Sequence, residues 1–131
     1  LKEAALPYRE EFVVEVEDFR FDQAAQALKK LWSLQLKPDA ILCFADILAI
    51  GIIHAAENLG INVPDQLSIA GFGDDETSRF IRPAITTMAQ PSFEMGELAA
   101  QIILEEIQLS GKPHSVRSEI IKPQIIIRES T

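Results

Sequence analysis

Apolar and polar residues along the chain alternate in blocks that predict strand, helix and strand from Pro38 to Gly73. Ile41 to Ala45 is a short apolar run entered by Pro38-Asp39. Leu67 to Phe72 is a second, entered by Val63-Pro64-Asp65. Short unbroken apolar runs of this kind suit parallel strands covered on both faces. Between them, Ile47 to Leu59 is long enough for a crossover helix and stops at Gly60, a residue type that readily takes the left-handed conformation after a helix. The result is one βαβ unit. Ligands of open parallel sheets collect beyond the carboxyl ends of the strands, here Ala45-Asp46 and Gly73-Asp74.

Ahead of this unit, Leu1 to Ala5 reads as the last turn of a helix closed by Leu6-Pro7, so the chain is expected to continue upstream. Glu11 to Glu17 alternates like a strand with one wet face, which suits an edge position. Asp22 is placed to cap the next helix, whose apolar stripe is Ala24, Ala25, Leu28, Leu31 and Trp32. Phe19 precedes that helix at the strand-end level, where it either staples the first turn or stacks on a ligand.

The helix from Ile47 is apolar nearly all the way round. Only His54, Glu57 and Asn58 interrupt it, so its surplus predicts burial against a second copy of the chain. Ile50, Ile53 and His54, with Phe80 and Ile81 from the later segment, are the expected interface. Gly71 to Thr77 reads as a glycine-rich turn in which Gly73 either takes positive φ or admits a close ligand. Asp74 to Glu76 are expected to be solvated charges, since calcium-loop spacing is absent. Pro83 to Met88 is extended and leads to Gln90-Pro91. A long helix follows to Leu109, with Met95, Leu98, Ala99, Ile102, Ile103 and Ile107 as its stripe. Ser110 to Pro113 ends it, and Ile120-Ile121 and Ile125 to Ile127 supply strand material broken by Pro123.

Composition narrows the function. At 131 residues and 47% hydrophobic content, the chain can close a core of its own. A net charge of -8 argues against a nucleic-acid footprint on this stretch. Cys43, the single cysteine, excludes a disulfide framework and points to the cytoplasm. No nucleophile elbow, phosphate-binding loop or metal-spaced cluster is present, and His54 and His114 are isolated from other chemistry, so neither an enzyme nor a cofactor or metal site is expected.

Three groups of residues, taken in order and mutual spacing, carry a resemblance. They are Pro38-Asp39-Ala40-Ile41 with Ala45-Asp46 and Ala49-x-Gly51; Gly60-x-x-Val63-Pro64 with Leu67-Ser68-Ile69 and Gly71-Phe72-x-Asp74; and Pro83-x-x-Thr86-Thr87 with Gln90-Pro91 and Met95-Gly96-x-x-Ala99-Ala100. From about Phe12 onward the chain resembles the lactose-repressor (LacI/GalR) family of bacterial transcription regulators. The resemblance implies an α/β, periplasmic-binding-protein-like (type I) fold with a parallel sheet and flanking helices. Residues 1–90 would be the C-terminal subdomain, 91–110 a helix crossing to the N-terminal subdomain, and 111–131 a return strand and tail. It also implies a central strand ahead of Leu1, between Phe12–Glu17 and Ile41–Ala45, without which both neighbours would carry unpaired backbone groups.

Carried over by residue, Phe19 occupies the family's stacking position on the effector, and Asp46 is the acidic half of a usual Asn-Asp pair whose Asn is Ala45 here. Gly73 stands where an effector-binding aspartate is usual, with Asp74 next; Gln90 could supply an amide. Asp46 is also placed to cap the helix behind it. The implied function is effector sensing in a sugar-responsive repressor that acts as a homodimer in the cytoplasm and reaches operator DNA through a helix-turn-helix outside this chain. The effector would be a sugar or sugar acid. The alternative is a periplasmic sugar-binding protein of a transport system.

Overall fold

The computed structural model describes residues 3–4, 6–109, 115 and 117–131. The expected stop at Ser110 to Pro113, His114, and most of the expected Leu1 to Ala5 turn lie outside the described residues. In chain order the elements are α1 (Phe21–Trp32), β1 (Ala40–Leu42), α2 (Asp46–Asn58), β2 (Ser68–Gly73), β3 (Thr86–Ala89), α3 (Ser92–Leu109) and β4 (Gln124–Ile126). The sheet runs β1-β2-β3-β4, the first two pairings parallel and the last antiparallel. The βαβ unit is β1-α2-β2, as its apolar runs predict. Pro123 ends the extended stretch before β4 and leaves Ile120-Ile121 outside the ladder, because a proline nitrogen has no hydrogen to donate.

The core lies between the sheet and α2. Ile69 and Ile85 are fully buried, and Leu48, Ala49, Ile52 and Ala56 of α2 close over them. On its other side α2 meets α1 through Ala24 and Leu28. The approach is close: a Cβ on Gly51 would lie 2.6 Å from that of Ala24. This explains the all-round apolar pattern of α2. It is covered by the sheet on one side and by α1 on another, which leaves Ile47 and Ile50 half-buried and far less surplus than expected from its sequence.

Three expectations are corrected. The expected strand makes no ladder: Glu10–Phe12 is a 3₁₀ turn, Val13 leaves it in an extended conformation, and Glu17 lies in a bend. A strand exists only as one side of a pair, and a cavity of about 190 Å³ lined by Val14, Val16, Ile41, Leu42, Cys43 and Phe44 separates this segment from β1. Asp22 does not cap α1, since the cap position is Arg20. The Asp22 carboxylate instead pairs with the Arg20 guanidinium at 2.9 and 3.1 Å, which holds its pKa below the ordinary value. Asp46 does not cap α2 either: Ala45 is at the cap, and the carboxylate turns inward.

The chain's end is built into the sheet. Ser130 is fully buried; its backbone bonds Ile69 and Ala84, and its hydroxyl donates to the Ile69 carbonyl and accepts from the Thr86 amide. In contrast, no residue of α3 is buried. Its Met95, Leu98, Ala99 and Ile102 line a depression shared with Ile120 and Ile121.

Candidate functional site

The carboxyl ends of β1 and β2 bring together Phe44, Ala45, Asp46, Phe72, Gly73 and Asp74, the residues that follow or finish each parallel strand. Asp46 is the centre of this end. It is only 2% exposed, yet its carboxylate is fully occupied by the protein. Oδ1 accepts from the Thr87 hydroxyl at 2.6 Å, while Oδ2 accepts from the Asp75 amide and the Ser78 hydroxyl, each at 2.7 Å. One side chain thereby fastens the start of α2 to β3 and to the loop after β2. Bonds to an ionised acceptor of this length are the strong kind.

Gly71 makes that burial possible. A Cβ there would fall 2.1 Å from Asp46 Oδ1, so any larger residue would push the carboxylate out. The sequence shows both residues but not their meeting, since Asp46 and Gly71 stand 25 positions apart and come together only when the βαβ unit folds. The same proximity acts on Cys43. Burial, reinforced by the nearby Asp46 charge, pushes its thiol up to about 12.

Gly73 takes φ 128° and Asp74 takes φ 55°, so the chain leaves β2 through two consecutive left-handed residues. Asp74 is not the solvated charge expected from its sequence, whereas Asp75 and Glu76 are exposed as expected. Asp74 reaches Arg128 at 2.5 Å and Arg79 at 3.6 Å, with only 16% of its side chain exposed. Arg128 in turn donates to the Ile85 carbonyl at 2.9 Å. Asp75 caps the short 3₁₀ turn Glu76–Arg79 by accepting from Thr77. The amides of the left-handed bend are met from elsewhere in the fold, with the Asp74 N–H donating to the Thr87 hydroxyl at 3.3 Å and the Asp75 N–H to Asp46 at 2.7 Å.

Phe19 is exposed and lies over this end in a row of near-parallel rings. Its centroid is 6.1 Å from that of Phe44 at 14°, and Phe44 is 6.4 Å from Phe72 at 4°. Sequence reasoning singled out Phe19 alone and missed Phe44 and Phe72. The available signal was positional, because each is the last large residue before a strand-end turn. Gln90 is exposed between β3 and α3, with its carbonyl accepting from Ser92 at 2.8 Å.

The expected interface residues also gather, on the α2 side of the molecule. Ile50, Ile53, His54 and Ile81 line an open groove of about 530 Å³ together with Phe21, Glu57 and Arg82. Ile53 itself is 7% exposed and belongs mostly to the core, while Phe80 stands 71% exposed outside the groove lining. His54 has Glu57 as its nearest acid, 4.0 Å away, and both are largely in solvent. Among the described residues no group of histidines, cysteines and carboxylates is arranged to hold a metal, and no helix is long and apolar enough to cross a membrane.

Residues 1–131 match the periplasmic binding protein-like domain family. The chain is 33% identical over 130 residues to the HTH-type transcriptional repressor PurR of Vibrio parahaemolyticus, covering 99% of this chain and 38% of that one. It is 35% identical over 114 residues to the repressor CytR of Escherichia coli K12, covering 87% and 33%. Among solved structures it is similar to a LacI family transcriptional regulator from Enterococcus faecium with bound ribose. That match has a TM-score of 0.73 and 27% identity, and covers 86% of this chain and 41% of the other. The chain therefore spans little more than a third of the length of these curated relatives.

Proposed function

Since the chain belongs to the periplasmic binding protein-like domain family, in its LacI/GalR branch, we propose that it is the effector-sensing part of a sugar-responsive, DNA-binding repressor. The observation that carries this reading is the exposed Phe19 ring at the carboxyl end of a parallel sheet, in a chain whose relatives are transcriptional repressors. An aromatic face suits the apolar face of a sugar ring. The ribose-bound relative supports a sugar as the class.

In this reading residues 1–90 are the C-terminal subdomain and α3 crosses to a second subdomain, which covers its exposed apolar stripe. Effector closes the two subdomains over Phe19. Gly73, Asp74 and Gln90 border the same space, and Asp46 acts there by holding the loop after β2 rather than by touching ligand. The groove of Ile50, Ile53, His54 and Ile81, with Phe80 beside it, receives a second copy about a two-fold axis. Operator DNA is bound by another segment, which agrees with the acidity of this one. The setting is cytoplasmic.

Coupling needs little energy. A ~10 to 100-fold preference of effector for one arrangement shifts the equilibrium by about 1.4 to 2.7 kcal/mol. The test is a thermal-shift screen of sugars and sugar acids on the intact protein, followed by gel-shift of operator DNA with each hit. A stabilising sugar that changes DNA retention is the expected result. A protein that binds sugar and has no affinity for DNA under any condition would favour the transport alternative.

A further inference from the structure

We infer that the hydrogen bond between Ser78 and Asp46 is the joint through which the effector end of the sheet and the α2 groove act on one another, with both residues positioning residues for that coupling. The inference rests on the sensing reading above, with its second copy in the groove, and adds how the two sites communicate. It starts from where the walls of the groove are rooted. One wall is α2, through Ile50, Ile53 and His54; the other is the segment after β2, through Ile81 and Arg82. Asp46 is the first residue of α2, about one helical turn before Ile50. Ser78 lies in the 3₁₀ turn Glu76–Arg79, directly ahead of the second wall. Its hydroxyl donates to Asp46 Oδ2 at 2.7 Å, so a single bond ties wall to wall.

The same carboxylate reaches the strand end. Oδ2 also accepts the Asp75 amide at 2.7 Å, and Oδ1 accepts the Thr87 hydroxyl, whose oxygen in turn accepts the Asp74 amide at 3.3 Å. Asp74 and Asp75 directly follow Gly73, the last residue of β2. Only eight positions separate Gly73 from Ile81, and they have little slack. The Ser78 carbonyl accepts from the Ile85 amide at 2.8 Å, and the Arg79 guanidinium lies 3.6 Å from Asp74. Burial stiffens the joint: Ser78, Thr87 and Asp46 are all beyond the reach of solvent, and among the described residues no buried side-chain donor or acceptor lacks a partner. Groups packed and bonded in this way move together or come apart; they do not stretch. Seating a second copy against the walls is therefore felt at Asp74 and Asp75. By linkage, whatever fixes the strand end biases the dimer by the same factor.

The test is a double-mutant cycle read by hydrogen exchange at the Asp75 amide, on the intact protein without ligand. It compares wild type, Ser78→Ala, Ile50→Glu and the Ser78→Ala/Ile50→Glu double variant, at concentrations where Ser78→Ala sediments as a dimer. Exchange at Asp75 is expected to be about tenfold or more faster in Ile50→Glu than in wild type. Within the pair carrying Ser78→Ala, that ratio should fall to near one. Leu67→Val, a change in the buried core ahead of β2, lowers stability without touching the joint, so Leu67→Val/Ile50→Glu against Leu67→Val should keep the full ratio. An undiminished ratio in the Ser78→Ala pair would make the bond a structural tie alone and overturn the inference, as would a ratio lost in the Leu67→Val pair. Equal exchange in a wild-type dimer and an Ile50→Glu monomer would overturn it too, while leaving the dimer standing. A wild type that sediments as a monomer would overturn both the second copy in the groove and this inference.

Discussion

Replacing Asp46 by alanine tests whether this acid is a structural tie. The substitution removes three hydrogen bonds of 2.6 to 2.7 Å and strands their donors, the Asp75 amide, the Ser78 hydroxyl and the Thr87 hydroxyl. Ser78 is 0% exposed and Thr87 1%, so water cannot easily replace the carboxylate. Each stranded buried group costs about 1–3 kcal/mol, although a hydroxyl can rotate toward another acceptor and relief from burying a charge offsets part of the loss. A net destabilisation of about 3 kcal/mol follows, large against a typical domain stability of ~5–15 kcal/mol. Asp46→Asn keeps the shape and one oxygen, which can still accept from Asp75 and Ser78, and should cost about 1–2 kcal/mol. Urea unfolding followed through Trp32 fluorescence, with the slope held constant between variants, gives both numbers. Asp46→Ala within 0.5 kcal/mol of wild type, or Asn costing more than Ala, would refute the tie.

Gly71→Ala should destabilise by about 2–4 kcal/mol, because its Cβ would sit 2.1 Å from Asp46 Oδ1; combined with Asp46→Ala the loss should be much less than additive, which a double-mutant cycle measures. Cys43 should resist thiol reagents at pH 8 until the protein unfolds. Because its folded pKa of about 12 lies above the ordinary thiol value, the unfolded state releases its proton first, so stability is full below that ordinary value and falls as pH rises toward 12. Cys43→Ala should flatten this part of the stability profile. Ile50→Glu in the α2 groove should turn a sedimenting dimer of the intact protein into a monomer with its melting temperature nearly unchanged, and a dimer that persists would remove the groove from the assembly.

The parts of the fold that could be read from sequence are those fixed by local pattern. The apolar runs at Ile41 and Leu67, the crossover helix between them, and the long helix after Pro91 all appear within a few residues of where periodicity puts them. Val13 to Glu17 alternates like a strand and is not one, because pairing depends on a neighbour that no local pattern reports. The reading of α2 as surplus-apolar was sound as arithmetic and incomplete as geometry, since α1 supplies the second cover. At the site, glycine at 73 and its positive φ were legible from the turn chemistry. The Asp46 contacts with Ser78 and Thr87 were not: these residues are 32 and 41 positions away, and a serine or threonine in a sequence gives no sign of what its hydroxyl meets. Arg128 and Asp74, 54 positions apart, were hidden for the same reason.

The most direct measurement is calorimetric titration of the effector found by screening into wild-type protein and Phe19→Ala, with operator binding measured on both. Phe19 is 56% exposed and touches the fold through ring stacking, so its loss should leave stability and ligand-free DNA binding intact while weakening effector binding by about 1–3 kcal/mol. Unchanged effector affinity in Phe19→Ala would contradict an effector site at this end of the sheet.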